Sequence, residues 1–432
     1  MIGSLPEKHR IERLDVLRGI AILGIFFINI AYMGNTIYAP LVDPRLDNWS
    51  GIDRVVYLSQ QILLGGTQRG MLELLFGACI FLMTVARPGD AAEAVESFHR
   101  RDLWLLLFGL VDIFFLGWNG DILHVLAIAG LLVFPLRRLD GRLLILLGCV
   151  YALCMVFYGG ERFAERSALG IETAVADAAR SHQLALIPAQ EETLKSWKVL
   201  EDALRVPEDL LSAERQAHMG DTAAYLAWSW KIWRDLQGNA GLSLWLVVEA
   251  VPAMLLGIGL YRAGILQGNR PAGQYWMLLL GGYGFGLTFR LISAYELLQF
   301  SPIPQSRWIT GEATRLAIAL GHLALINLIC STGLGSRLMR PFAAAGRLWL
   351  SLYFLETLIG IWLLFSRCGF DLWGRFGWAQ LMLVAAMVQI FLLVAANLWL
   401  RHFRMGPLEW LWRSLVYWRL QSLRRETRPA TV

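Results

Sequence analysis

Arg13-Leu-Asp15-Val-Leu-Arg18-Gly19-Ile-Ala-Ile-Leu-Gly24-Ile-Phe-Phe-Ile-Asn29-Ile30 sets an Arg/Asp/Arg cluster at the mouth of an apolar helix and leaves one Asn near its far end. About 20 helical residues cross ~30 Å of hydrocarbon, so the run reads as a membrane span carrying polar chemistry at both ends. The polar, basic first 14 residues and the length of the run do not match a cleaved signal peptide, and this span is expected to stay in the mature protein. Composition agrees: the 432 residues are 56% hydrophobic and only 17% charged, too apolar for soluble domains of this size. The net charge of +5 does not point to nucleic acid, because the basic residues sit at span ends and in the tail. Cys79, Cys149, Cys154, Cys330 and Cys368 are scattered, which predicts neither a disulfide framework nor a metal site.

Ten apolar runs have span length, at about 15–33, 70–86, 102–118, 120–136, 142–159, 240–261, 274–294, 313–333, 348–366 and 378–400. The expected fold is therefore an all-α polytopic membrane bundle of about ten transmembrane helices. Lys8, Arg10 and Arg13, then Arg87, Arg100 and Arg101, Arg137, Arg138 and Arg142, Arg262 and Arg270, and Arg337, Arg340 and Arg347 alternate with poorly charged loops, which predicts both termini in the cytoplasm. Four regions result: a five-span half over 1–159, an extracytoplasmic helical segment over 160–237 broken at Pro188 and Pro207, a second five-span half over 238–400, and a cytoplasmic amphipathic tail over 401–432. Ile52, Val55, Val56, Leu58, Ile62 and Leu63 recur at helical spacing in a stretch too short to cross, and are expected to lie on the membrane or re-enter it. Gly-Gly-Tyr-Gly-Phe-Gly at 281–286 lies inside an apolar helix and reads as close helix packing rather than a phosphate loop.

Ionisable residues within spans are costly and turn towards a bundle interior. Here they are Glu73, Asp112, Asp121, His124, Glu249, Arg290, Arg315, His322 and Glu356. Asp121 and His124, three apart, share a helix face: the carboxylate either caps the helix or orients His124 as a general base. Asn29 stands 14 residues beyond Asp15, roughly 21 Å along the helix, which predicts the same outer depth as His124. Its amide serves either an oxyanion or helix packing. His322 is the alternative base. Arg18, with Arg347 or Arg87, marks an entrance able to bind phosphate or anionic lipid.

The segments RLDVLRGIAILGIFFINI, LLFGACIFLM (74–83), GDILHVLAIAGLL (120–132), GDTAAYLAWSWKIW (220–233), MLLGIGLYRAG (254–264), GRLWLSLYFLET (346–357) and WLRHFRMGPLEWLWRSLVY (399–417) together resemble the YeiB-like bacterial membrane family along nearly the whole chain. That family is similar in its N-terminal half to heparan-α-glucosaminide N-acetyltransferase and the wider transmembrane acyltransferases. The resemblance implies acyl transfer in the bacterial inner membrane, from cytosolic acyl-CoA or acetyl-CoA to an extracytoplasmic glycan or small acceptor. In the lysosomal relative a buried Asn in the first span and a His shortly after it serve catalysis; Asn29 matches the Asn, whereas no His lies between Ala31 and Phe98. Relatives commonly carry Asn and Gln where this chain has Leu352 and Glu356. The residues thus nominate His124, Asp121 and Asn29 for catalysis, Arg18, Arg347 and Arg87 for the donor, and His322, Arg290, Arg315, Glu249 and Glu356 as further buried polar groups. Membrane lipid is the expected environment, and a homo-oligomer is left open. The alternative from another class is a transporter or exporter of a small or amphipathic solute, with the same residues as binding site and proton relay.

Overall fold

The computed structural model describes residues 12–46, 48–85 and 91–425; Lys8, Arg10 and Arg87 lie outside them. Their regular structure is helical, apart from an isolated bridge between Phe403 and Arg424. In chain order the helices are α1 (Glu12–Gly34), α2 (Tyr38–Leu41), α3 (Gly51–Leu63), α4 (Thr67–Thr84), α5 (Ala91–Phe114), α6 (Leu123–Val133), α7 (Gly141–Ser181), α8 (Pro188–Asp202), α9 (Glu208–Met219), α10 (Thr222–Trp233), α11 (Leu242–Arg262), α12 (Ala272–Leu297), α13 (Arg307–Cys330), α14 (Gly333–Arg347), α15 (Trp349–Thr357), α16 (Trp378–His402) and α17 (Pro407–Val416).

Every one of the ten apolar runs falls on a helix, but the count of ten spans does not carry over from runs to helices. Among the described residues six helices, α1, α7, α11, α12, α13 and α16, are each long and apolar enough to cross a membrane. A seventh span follows if α14 and the stretch Trp349–Phe365, bent by 74°, are taken together. The physical reason lies in the other three runs. α6 has 11 residues, roughly 16 Å of rise, and the first turns of α4 and α5 hold Gln68, Arg69 and Glu73, and Glu93 and Glu96.

α1 is the centre of the bundle: 67% of its most apolar window is buried, against 17% for α7 and α12, whose Phe157, Trp276 and Leu280 point outward. Backbone approaches at glycine set this packing. A Cβ on Gly19 would strike the Phe342 carbonyl, and one on Gly346 the Asp15 carbonyl, so α1 and α14 touch through mutually exposed backbone. Gly282 abuts the Ala317 carbonyl in the same way and Gly286 receives the Ile318 side chain, joining α12 to α13 as the glycine run suggested.

The 160–237 segment is helical throughout most of its length, with α7 continuing without a break to Ser181. Pro188 opens α8 and Pro207 sits at the N-cap of α9, positions where a missing N–H costs nothing. This segment caps the bundle and is locked to the turn between α1 and α2: Glu214 of α9 accepts hydrogen bonds from the Ile37 backbone at 2.8 Å and from the Thr36 hydroxyl. α3 turns Tyr57, Gln60 and Asp53 inward and leaves Ile52, Val55 and Leu63 exposed, as a helix lying against lipid requires.

At the opposite end the amphipathic tail seats one face against the bundle. α17 packs into the bundle with Glu409, Trp412 and Val416 buried. Glu409 accepts from the backbone N–H groups of Leu350 (2.7 Å) and Ser351 (3.1 Å) and from the Ser351 hydroxyl (2.5 Å), capping the start of α15.

Candidate functional site

α6 starts deep against α5 because residue 109 is a glycine. A Cβ there would lie 2.7 Å from both Asp121 Oδ2 and the His124 nitrogen. Asp121 Oδ2 accepts the His124 backbone N–H (3.0 Å) and faces His124 Nδ1 (2.8 Å). The helix cap and the imidazole holder are therefore one carboxylate rather than alternatives. Tyr353 of α15 completes the arrangement: its hydroxyl accepts from the Ile122 N–H (3.1 Å) and donates to Asp121 Oδ1 (3.2 Å). An ionised carboxylate only accepts, so Nδ1 carries hydrogen and Nε2 faces Ser243 Oγ at 3.1 Å. The single hydrogen of the Ser243 hydroxyl can go either to Nε2 or to Gln237 Oε1 (2.9 Å), and Gln237 Nε2 donates to the Asn119 carbonyl (3.0 Å). One turn beyond Gly109, Asp112 is fully buried, with one oxygen 3.4 Å from the Thr357 hydroxyl and the other without a hydrogen bond.

Beside the turn that holds Asp121 and His124 lies a small slot, of about 20 Å³, towards the end of the bundle where α1 begins. Its walls are Ile122, Leu123, Leu126, Leu72, Leu75, Phe76, Ile22 and Tyr353, and Arg18, Arg101, Cys79 and Trp349 line its mouth. Arg18 contacts Cys79 Sγ at 2.9 Å and lies 3.6 Å from Asp15. Arg101 contacts Met83 Sδ and covers the Trp412 ring at 4.5 Å. Two guanidiniums whose nearest acceptors are mainly sulfur are weakly satisfied, and an anion there gains charge-assisted bonds.

A second pocket opens at the capped end, lined by Met33, His218, Tyr225, Ile361, Trp362, Arg367 and Cys368. Two helices link it to the slot. Ile22 and Met33 of α1 line one pocket each, and Asn29 lies between them on the same helix face. Tyr353 and Ile361 do likewise along α15 and the π-helical stretch Leu358–Phe365, with Thr357 between. Asn29 is buried, yet no hydrogen bond joins it to Asp121 or His124. It sits two helical turns past Ile22 on α1. The His218 ring stacks on Trp373 at 4.1 Å and meets Tyr225 and Trp228 edge-on. Burial pushes its pKa down to about 3. Unfolded, such a ring titrates near 6.5, so between these values the unfolded chain binds the extra proton. The stability this stack contributes is therefore complete above pH 6.5 and is lost as pH falls towards 3. Tryptophan fluorescence during acid titration is expected to report loosening of the cap in that window, and His218→Phe to remove the dependence.

The remaining nominated residues form separate groups. Arg315 pairs with Glu73 (2.6 Å) and with both oxygens of Glu312 (2.8 Å each), while Arg69 holds Glu249 (2.5 Å). Arg290 donates to the carbonyls of Gln61 (2.8 Å) and Gly65 (2.5 Å) beside them. His322 bridges the Tyr283 hydroxyl (2.8 Å) and the Leu63 carbonyl (3.2 Å), a structural pair of contacts. Glu356 accepts from Gln389 (2.7 Å), and Arg347 donates to the Arg404 carbonyl (3.1 Å) beside the tail. Arg101, Tyr353 and Ser243 were not singled out from the sequence. Tyr353 lies within the GRLWLSLYFLET segment and Arg101 among the topology arginines, whereas nothing local marks Ser243.

The model of a family described as "Protein of unknown function (DUF418)" matches residues 260–419. The chain is 26% identical over 433 residues to the uncharacterized protein YxaH of Bacillus subtilis, covering 98% of each. It is 25% identical over 422 residues to the uncharacterized protein YeiB of Escherichia coli, covering 93% of this chain and 95% of that one. A 39.9 kDa protein encoded in the amylase 3' region of Bacillus acidopullulyticus is 22% identical over 419 residues, 96% of each.

Proposed function

The chain belongs to the YeiB-like family, and on that premise we propose that it is a multi-pass acyltransferase of the bacterial inner membrane. It takes an acyl group from cytosolic acyl-CoA to an extracytoplasmic glycan or other small acceptor. The observation that carries the reading is the small slot whose lining includes both the Arg18/Arg101 pair and Ile122 and Leu123, the two residues between Asp121 and His124. In this reading the arginines hold donor phosphate at the cytoplasmic mouth. Asp121 fixes the His124 tautomer, Nε2 removes the acceptor proton, and Asn29 lies along the path to the acceptor pocket beneath His218.

Acetyl-CoA is expected to bind the purified protein at micromolar level, with Arg18→Ala or Arg101→Ala weakening it by about 1.5–3 kcal/mol, the scale of a charge-assisted hydrogen bond. Calorimetry measures this, and a thermal melt of each variant checks the fold, because Arg18 also touches Asp15 and Cys79. The buried ion cluster around Arg315 favours a second reading, a transporter that uses it as a proton relay. Undetectable CoA binding by a well-folded sample would replace the first reading by the second.

The orientation has its own test. Cys368 is exposed at the capped end, whereas Cys149 and Cys154 are exposed on the membrane span of α7. A membrane-impermeant maleimide is expected to label Cys368 in intact cells, and to leave Ser336→Cys, at the exposed start of α14, unlabelled in a Cys368→Ser background. The reverse pattern inverts the protein in the membrane.

A further inference from the structure

We propose that Ser243 is a covalent acyl carrier, activated by His124 and Asp121. The inference rests on the acyl-transfer reading and names the group that receives the acyl chain first. Three observations converge on it. The Asp121 Oδ2···Nδ1–His124–Nε2···Oγ Ser243 series, at 2.8 and 3.1 Å, has the order and reach of a nucleophile, base and orienting carboxylate. Ser243 is the second residue of the 21-residue helix α11, which begins after Gly241 at φ +69°. The first bond of that helix runs from the Trp245 N–H to the Gly241 carbonyl (3.0 Å), so the N–H groups of Leu242, Ser243 and Leu244 lie outside the ladder and can face a developing oxyanion. Finally, Ser243 is only half-buried, unlike His124 and Asp121 behind it.

The chemistry balances without any further reagent. Rotation of the hydroxyl from Gln237 Oε1 to His124 Nε2 arms it. Oγ attacks the thioester carbonyl, its proton passes to Nε2, the C–S bond breaks, and the departing thiolate takes that proton as free thiol. An acceptor hydroxyl or amine then attacks the serine ester, gives its proton to Nε2, and the proton returns to Oγ as the ester C–O bond breaks. The Asp121 carboxylate, 2.8 Å from Nδ1, stabilises the transient imidazolium.

The test uses the full-length protein in lipid nanodiscs. Acetyl-CoA is added without acceptor, the sample is acid-quenched, and proteolysis with mass spectrometry locates any acetyl group. One acetyl on Ser243 is expected, lost in Ser243→Ala and His124→Ala, with Ser243→Cys giving a hydroxylamine-labile thioester instead. A fluorophosphonate probe reads the same nucleophile without CoA and is expected to label Ser243 in a His124-dependent manner. Fluorophosphonate labelling of Ser243 in protein that binds no CoA would support the nucleophile while sinking acyl-CoA as donor. Transfer by Ser243→Ala at the wild-type rate, or CoA binding with neither adduct on Ser243, would overturn the carrier and leave direct transfer by His124.

Discussion

His124→Ala is expected to lower acyl transfer by at least about 10³-fold while acetyl-CoA binding stays within twofold of wild type. The magnitude is that of a positioned general base. Binding is spared because the Arg18 and Arg101 contacts lie at the other end of the slot. Asp121→Asn is expected to fall in between in activity. The single amide oxygen can still accept the His124 N–H that caps α6, but the NH2 then faces the Tyr353 hydroxyl, which must turn to accept, and the charge that favours a proton on Nδ1 is gone. A transfer assay with calorimetry on the same samples separates the two effects, and a His124→Ala protein as active as wild type would remove the imidazole from the chemistry.

The largest loss of stability is expected from Arg315→Ala. Its guanidinium holds both oxygens of Glu312 and is the closest cation to the fully buried Glu73, so truncation strands two carboxylates inside the bundle. Breaking a buried pair from one side costs about 3–5 kcal/mol, much of it the penalty of the charge left behind. A clear fall in the thermal unfolding midpoint in detergent is expected, partly restored by adding Glu73→Gln and Glu312→Gln. An unchanged midpoint would mean that water already reaches the cluster.

Periodicity and charge made the helical membrane character legible, because the bilayer imposes one length and one hydrogen-bonding rule on any chain that crosses it. The number of crossings was less legible. Hydropathy marks α6, but only the three-dimensional arrangement reveals that 11 residues start below the loop 115–122 and pack behind Gly109. The Asp121–His124 pair could be read because both residues sit on one turn. Tyr353 and Ser243 lie 232 and 119 residues away from their partners, and such contacts leave no local trace. For Asn29, counting rise along α1 gives a depth along the axis, and depth alone does not specify a hydrogen-bond partner on another helix; none joins it to Asp121 or His124.

The cap that Glu409 places on α15 also sets an order of events during biosynthesis. Tyr353 belongs to a helix whose first N–H groups find their acceptor 58 and 59 residues later in the chain. A growing polypeptide therefore emerges with the Tyr353 wall unlatched and closes it only when α17 leaves the ribosome. Any premature stop before residue 409 yields a chain with nearly every apolar segment of α1 to α16 present and that latch missing.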